Sequence, residues 1–224
     1  IAMKAAPKLC PVTLELGGKN PNIIMSDADL DIAIPGVIDG MRYTRQGQAC
    51  TAGSRVYIHE KIYDKVLEGA VEKLSKLKMG NALDEKSDIG AIISEEQLKR
   101  TLYYMDIAKK NSSTKILHGG NQSKGGEYKD GFYYQPTLLS GLPVSSLVCQ
   151  EEVFGPVACA IPFKSFDEVM KSANDTQFGL SAVLWTKDLS RALQFVDEIE
   201  AGFVQVNQCV APRANVSYGG IKMS

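Results

Sequence analysis

Apolar residues in this chain switch between two spacings, and the switching carries most of its structural information. Short apolar and β-branched runs fall at 12–16, 22–25, 56–59, 115–118, 157–163, 181–186 and 202–207, each about the length of a strand. Between them the spacing changes to three and four. Tyr63, Val66, Leu67, Ala70, Leu74 and Leu77 share one helical face, and Leu98, Leu102, Met105 and Ile107 mark a second helix. Positions 166–173 and 189–199 continue the series, and 30–43 is helix-like. Strands that alternate with helices need crossover connections. The pattern therefore predicts an α/β fold, a mainly parallel twisted sheet with helices on both faces. The glycine-rich stretch 119–131 reads as a surface hairpin or loop. No internal repeat or interdomain linker interrupts the pattern, so 1–224 reads as a single domain.

Composition narrows the function classes. A formal net charge of −1 gives no electrostatic reason to expect nucleic acid or an anionic membrane as partner. Five cysteines (Cys10, Cys50, Cys149, Cys159, Cys209) are odd in number and lack C-x-x-C spacing. That argues against a disulfide framework and a structural zinc site, and fits a reducing, cytoplasmic setting. The first ten residues, beginning at Ile1, lack the apolar core of a secretion signal.

Three segments carry candidate chemistry. Cys50 sits in Gln46-Gly47-Gln48-Ala49-Cys50-Thr51-Ala52-Gly53-Ser54-Arg55, between a helix-like stretch and a strand-like run. Small neighbours and two glycines let a substrate approach a nucleophilic sulfur and leave backbone N–H groups to face it. The same residues also read as a glycine-rich helix-to-strand turn with an incidental cysteine. Leu14-Glu15-Leu16-Gly17-Gly18-Lys19-Asn20-Pro21 sets one carboxylate in an apolar run that breaks at a Gly-Gly turn. Partial desolvation would raise its proton affinity toward that of a general base. Gln150-Glu151-Glu152-Val153-Phe154-Gly155-Pro156-Val157 puts acids beside an aromatic ring before a rigid turn. This suits a ribose hydroxyl and a flat ring, or simply a solvated turn.

In this order the three motifs resemble the aldehyde dehydrogenase superfamily, NAD(P)-dependent enzymes that oxidise aldehydes to carboxylic acids. The likeness extends to Asn174, Gly179-Leu180, the run Gly202-Phe203-Val204-Gln205-Val206-Asn207 and Tyr218-Gly219-Gly220-Ile221-Lys222-Met223-Ser224. The resemblance implies Cys50 as nucleophile, forming a thiohemiacetal and then a thioester. It implies Glu15 as the base that deprotonates the hydrolytic water. Members that acylate coenzyme A lack this glutamate, so its presence favours the hydrolytic branch. Glu152 would hold the nicotinamide ribose, Phe154 would pack near the nicotinamide, and Leu16 and Gly17 would line that side. NAD is the default cofactor, with NADP open. Asn207 matches a position close to the cysteine, and Tyr218 one that lines the aldehyde tunnel.

Residues 208–217, with Cys209, Pro212 and Arg213, would form the variable loop at the tunnel mouth. Arg213 raises the idea of an acidic substrate, although a lone loop arginine is more often solvated. Family members carry a nucleotide-binding segment before this region and an assembly strand after it. The chain is thus expected to be a catalytic-domain fragment, inactive alone, of a homodimeric or homotetrameric enzyme. Which aldehyde is oxidised stays open.

Other residues have plainer readings. His59 and His118 read as solvent-facing strand ends, and Cys10, Cys149, Cys159 and Cys209 as packed thiols. Trp185 reads as a core strand residue. Asp27, Asp29 and Asp31 read as helix caps rather than a calcium loop, and no metal is expected. Two alternatives remain: a thiol hydrolase pairing Cys50 with His59, and a structural descendant that has shed its chemistry.

Overall fold

The computed structural model describes residues 1–209 and 214–224. Its strands in chain order are β1 (Pro21–Ile24), β2 (Arg55–His59), β3 (Lys115–His118), β4 (Thr137–Ser140), β5 (Val157–Phe163), β6 (Phe178–Gly179), β7 (Ser181–Trp185), β8 (Phe203–Val206) and β9 (Ile221–Lys222). Seven of them form one sheet, in the order β3-β4-β5-β2-β1-β7-β8. All neighbours are parallel except β3, which pairs antiparallel with β4 at one edge. β6 and β9 make a separate antiparallel ribbon. The helices are α1 (Ala2–Ala5), α2 (Leu30–Met41), α3 (Tyr63–Lys76), α4 (Glu95–Lys110), α5 (Leu147–Gln150), α6 (Phe166–Asn174) and α7 (Leu189–Glu198).

Central strands are apolar on both faces because both faces are covered. Ile23, Tyr57, Cys159, Ile161 and Leu184 belong to one core with Leu98 and Met105 of α4, Val148 of α5, Val169 of α6 and Phe195 of α7. Their strand neighbours Ile24, Val56, Ile58, Ala160 and Val183 belong to the other, with Val37 and Met41 of α2 and Val66, Ala70 and Leu74 of α3. Of the three aspartates expected as helix caps, Asp29 caps α2 and Asp31 lies in its first turn. Asp27 instead accepts from the Thr186 hydroxyl and the Lys187 and Asp188 N–H groups. Asp29, Ser94, Ser165 and Asp188 each accept a backbone N–H from the first turn of the helix that follows.

Several expectations change. Residues 12–16 form no strand; they are exposed and irregular, because no neighbouring strand pairs with them. β4 escaped the pattern: its four residues end in serine, so the run is too short to read as a strand. His59 does not face solvent. It is 9% exposed, its Nδ1 accepts from Lys61 N at 3.2 Å, and its ring packs edge-on against Phe163. His118 is half-buried, with Nδ1 2.8 Å from the Pro136 carbonyl. Cys149 and Cys159 are buried as expected, whereas Cys10 is exposed. Trp185 is a core residue at the end of β7.

Trp185 also fixes how closely α2 lies on the sheet. The wholly buried Asn22 accepts from Trp185 Nε1 at 2.7 Å and donates to the Gly36 carbonyl at 3.0 Å. A Cβ on Gly36 would fall inside the indole ring. Gly36→Ala is therefore expected to destabilise the chain by about 1–3 kcal/mol, despite the better helix propensity of alanine. Equilibrium urea denaturation measures this; an unchanged midpoint would mean that α2 can shift off the indole at no cost.

Candidate active site

Five neighbouring strands, β5, β2, β1, β7 and β8, start side by side, and the three chemical motifs are the segments that lead into them. Glu152 to Pro156 precede β5, the Cys50 segment precedes β2, and Glu15 to Asn20 precede β1. Parallel pairing alone therefore brings them to one edge of the sheet, the amino edge.

Residues 17–20 bind the others together. A Cβ on Gly17 would come within 2.6 Å of the Glu152 carboxylate, and one on Gly18 would collide with the Cys50 carbonyl oxygen. The two glycines are not the expected turn: the backbone there is irregular, and they serve close approach instead. Gly18 N donates to Glu152 Oε1 at 2.9 Å. Asn20 Nδ2 donates to the carbonyls of Cys50 (2.8 Å) and Ala52 (3.0 Å), and its Oδ1 accepts from Ser181 N at 2.9 Å. Asn20 was not singled out by sequence reasoning, although a polar residue just ahead of a buried strand is a usable signal.

Cys50 is half-buried, and its Sγ lies 3.4 Å from the Tyr218 hydroxyl. Burial pushes the Tyr218 phenol well above its ordinary range, helped by the bond to Cys50 and by the negative charges of Cys50 and Glu15. Glu15 therefore lies in the same electrostatic neighbourhood. Both Glu15 and Leu16 are exposed, so the burial on which a raised proton affinity for Glu15 was expected is absent here.

The adjacent acids of the third motif separate. Glu151 Oε2 accepts from Tyr104 Oη at 2.6 Å, whereas Glu152 turns toward Gly18. Burial raises the Glu152 carboxyl, and the Gly18 N–H and the positive charges of Arg100 and Lys19 offset part of that rise. Phe154 is half-buried with a left-handed φ of 55°, an uncommon conformation for a phenylalanine. Gln97 Nε2 fixes this turn by donating to the carbonyls of Val153 (3.0 Å) and Phe154 (2.7 Å).

Two cations lie behind the site. Lys19 is 2% exposed, and burial pulls its ammonium below the usual lysine range. Arg55, wholly buried, donates to the carbonyls of Lys19 (2.8 Å), Ser172 (3.1 Å) and Ala173 (2.8 Å).

Asn207 stands apart from the group. It follows β8 at the opposite, carboxyl edge of the sheet, where Val206 is level with Leu184. Both of its amide atoms are engaged with the Thr186 backbone, at 3.0 and 2.8 Å. Pro212 and Arg213 lie outside the described residues. His59 closes β2 at that same carboxyl edge, while Cys50 precedes β2. A Cys50–His59 pair is thus ruled out by the length of the strand between them. A cleft of about 510 Å³ between the end of α3 and Pro136 lies away from all of these groups.

A sequence model described as the aldehyde dehydrogenase family matches residues 1–224. An aldehyde dehydrogenase of Rhodospirillum rubrum is 41% identical over all of this chain and 45% of its own length. A betaine aldehyde dehydrogenase of Mesorhizobium japonicum is 36% identical over 98% of the chain and 45% of its own. Among solved structures, the NAD+ complex of an aldehyde dehydrogenase from Bacillus cereus superposes with a TM-score of 0.92 at 35% identity. It covers 99% of this chain and 44% of that one. The chain spans less than half the length of these relatives. With its sheet order and its three converging motifs, the chain belongs to the aldehyde dehydrogenase family.

Proposed function

We propose that the protein carrying this chain oxidises an aldehyde to a carboxylic acid with NAD(P), and that residues 1–224 form its thiol-bearing catalytic domain. One observation carries the reading: the segments bearing Cys50, Glu15 and Glu152 are joined through Gly18 and Asn20 at a single edge of the sheet.

The Cys50 thiolate adds to the aldehyde carbon, a C–S bond forms, and the carbonyl oxygen becomes an oxyanion. The Cys50 backbone N–H is one donor to that oxyanion, a contribution typically worth roughly 3–4 kcal/mol. Bound NAD(P) supplies the hydride acceptor. Glu15 takes a proton from the water that attacks the resulting Cys50 thioester. Collapse of that adduct expels the thiolate and releases the acid. An exposed Glu15 suits this role, since it must reach water.

The residues present fit a dinucleotide. Gly17 leaves room beside the Glu152 carboxylate, one oxygen of which is held by Gly18 N–H. The carboxylate can then accept from ribose hydroxyls, with the Phe154 ring and the Leu16–Gly17 backbone beside the nicotinamide. Tyr218 lines the aldehyde side, and Asn207, whose amide holds the Thr186 backbone, steadies the end of β8. A cytoplasmic setting agrees with five unpaired thiols. Homodimeric or homotetrameric assembly, to be measured by sedimentation, completes the reading.

Three measurements test it. Cys50→Ala is expected to abolish aldehyde oxidation, and peptide mapping after limited iodoacetamide to show Cys50 labelled ahead of exposed Cys10; preferential labelling of Cys209 counts against the assignment. Glu15→Gln is expected to leave a burst of reduced cofactor and slow turnover by about 10²-fold or more; an unchanged steady-state rate removes Glu15 from the mechanism. The 224-residue chain by itself is expected not to turn over aldehydes, and calorimetric titration to show no micromolar affinity for NAD. Tight binding would place the cofactor site within this chain.

A further inference from the structure

From the contact between Tyr218 and Cys50 we infer that Tyr218 is a catalytic residue: its phenol donates a hydrogen bond to the Cys50 sulfur and holds that sulfur as the thiolate. The inference rests on Cys50 being the nucleophile and adds a role for a residue otherwise only part of the tunnel wall.

The contact itself is 3.4 Å, hydroxyl oxygen to sulfur. A thiolate has no proton to give, so in the reactive state the phenol must be the donor. The surroundings keep it one. The ring is half-buried and feels the negative charge of Glu15, and burial favours the neutral phenol, so Tyr218 keeps its proton where a thiol ionises.

The hydroxyl is also held in place. The Tyr218 ring packs edge-on against Phe203, with centroids 5.6 Å apart at 68°. Immediately beyond it, Gly202 lies so close to the Gly219 carbonyl that a Cβ there would collide. β9 then pairs with β6, and Lys222 Nζ donates to the carbonyls of Asn174 (2.8 Å) and Thr176 (3.1 Å) and ion-pairs with Glu200. Gly179 N donates to Ser224 Oγ at 3.0 Å. These ties fix the chain that follows Tyr218 against the start of β8. They turn a residue 168 positions from Cys50 into a fixed donor.

The consequence is a specific pH signature. A donor to sulfur increases the thiolate fraction near neutrality but makes each thiolate a weaker nucleophile, with a Brønsted coefficient near 0.4–0.5. Removing the donor should therefore slow Cys50 at neutral pH and speed it once every thiol is ionised. Tyr218→Phe keeps the ring on Phe203 and deletes only the hydroxyl.

The test is the second-order rate of Cys50 alkylation by iodoacetamide, read by peptide mapping of the full chain across pH. The variant is expected to react about threefold slower than the parent near pH 7 and about threefold faster near pH 10, so that the two profiles cross. A purely packing role would move both ends in the same direction or neither, and either result overturns the inference. Fluorinated tyrosine placed at 218, a stronger donor of the same shape, should shift the rates the opposite way at pH 7; no shift there would also overturn it. Selective labelling of Cys50 with superimposable profiles sinks the Tyr218 role alone. Labelling that bypasses Cys50 in the parent sinks the nucleophile with it.

Discussion

The side-chain amide of Asn20 is the constraint on which the candidate site depends. One buried group satisfies three backbone groups: two carbonyls of the Cys50 segment and the N–H that opens β7. The Ala52 carbonyl also accepts from Ser54 N at 2.9 Å, so the amide matters most to the Cys50 carbonyl and the Ser181 N–H, where a lost partner costs about 1–3 kcal/mol apiece. An aspartate could accept from Ser181 but could not donate to the two carbonyls. The amide works only because the backbone ahead of it comes close, and Gly17 and Gly18 make that possible by leaving no Cβ against Glu152 and Cys50. Small residues in the motif therefore serve the approach of three chain segments more than they serve any turn.

The site lies at an unusual place for a parallel sheet. Open α/β sheets generally bind ligands outside the carboxyl ends of their strands. Here the candidate residues sit at the amino ends, in the connections from α2 to β2 and from α5 to β5 and in the segment before β1. The carboxyl edge carries a different set of polar contacts. Asp27 Oδ2 accepts from Thr186 Oγ1 and from the N–H groups of Lys187 and Asp188, and Asn207 grips Thr186 from the other side. Those contacts close the strand ends and the start of α7. One edge of the sheet is spent on closure, and the other is left to chemistry.

What could be read from the sequence follows from this arrangement. Central strands and their covering helices were legible because burial on both faces leaves long apolar runs, as in 157–163, and because α3 and α4 keep clean helical spacing. The 12–16 run misled because alternation describes a half-buried strand only when a neighbour pairs with it. β4 was illegible for the converse reason: its place between β3 and β5 comes from tertiary pairing rather than from its own composition. The three motifs could be seen individually, and the family resemblance supplied their order. Their physical joining could not be seen, because Gly18 meets Glu152 across 134 residues. The separation of Glu151 from Glu152 depends likewise on Tyr104 and Gly18, which only the fold brings near.

Arg55 shows how the joined segments are kept from drifting. Its guanidinium donates to the Lys19 carbonyl, to two carbonyls near the end of α6 and, at 3.2 Å, to Tyr57 Oη. The helix terminus is a favourable place for a cation because its last carbonyls lack intrahelical partners. Lysine could not replace it, since only a planar fork reaches acceptors on a strand, a helix end and the segment before β1 together. Arg55 opens β2 a few residues after Cys50, so it ties the sheet position of Cys50 to the same backbone, at Lys19, that precedes Asn20. Errors in placing α6 or β1 would therefore reach the thiol through one wholly buried side chain. Four hydrogen bonds from one guanidinium offset the cost of burying so strong a cation at that point.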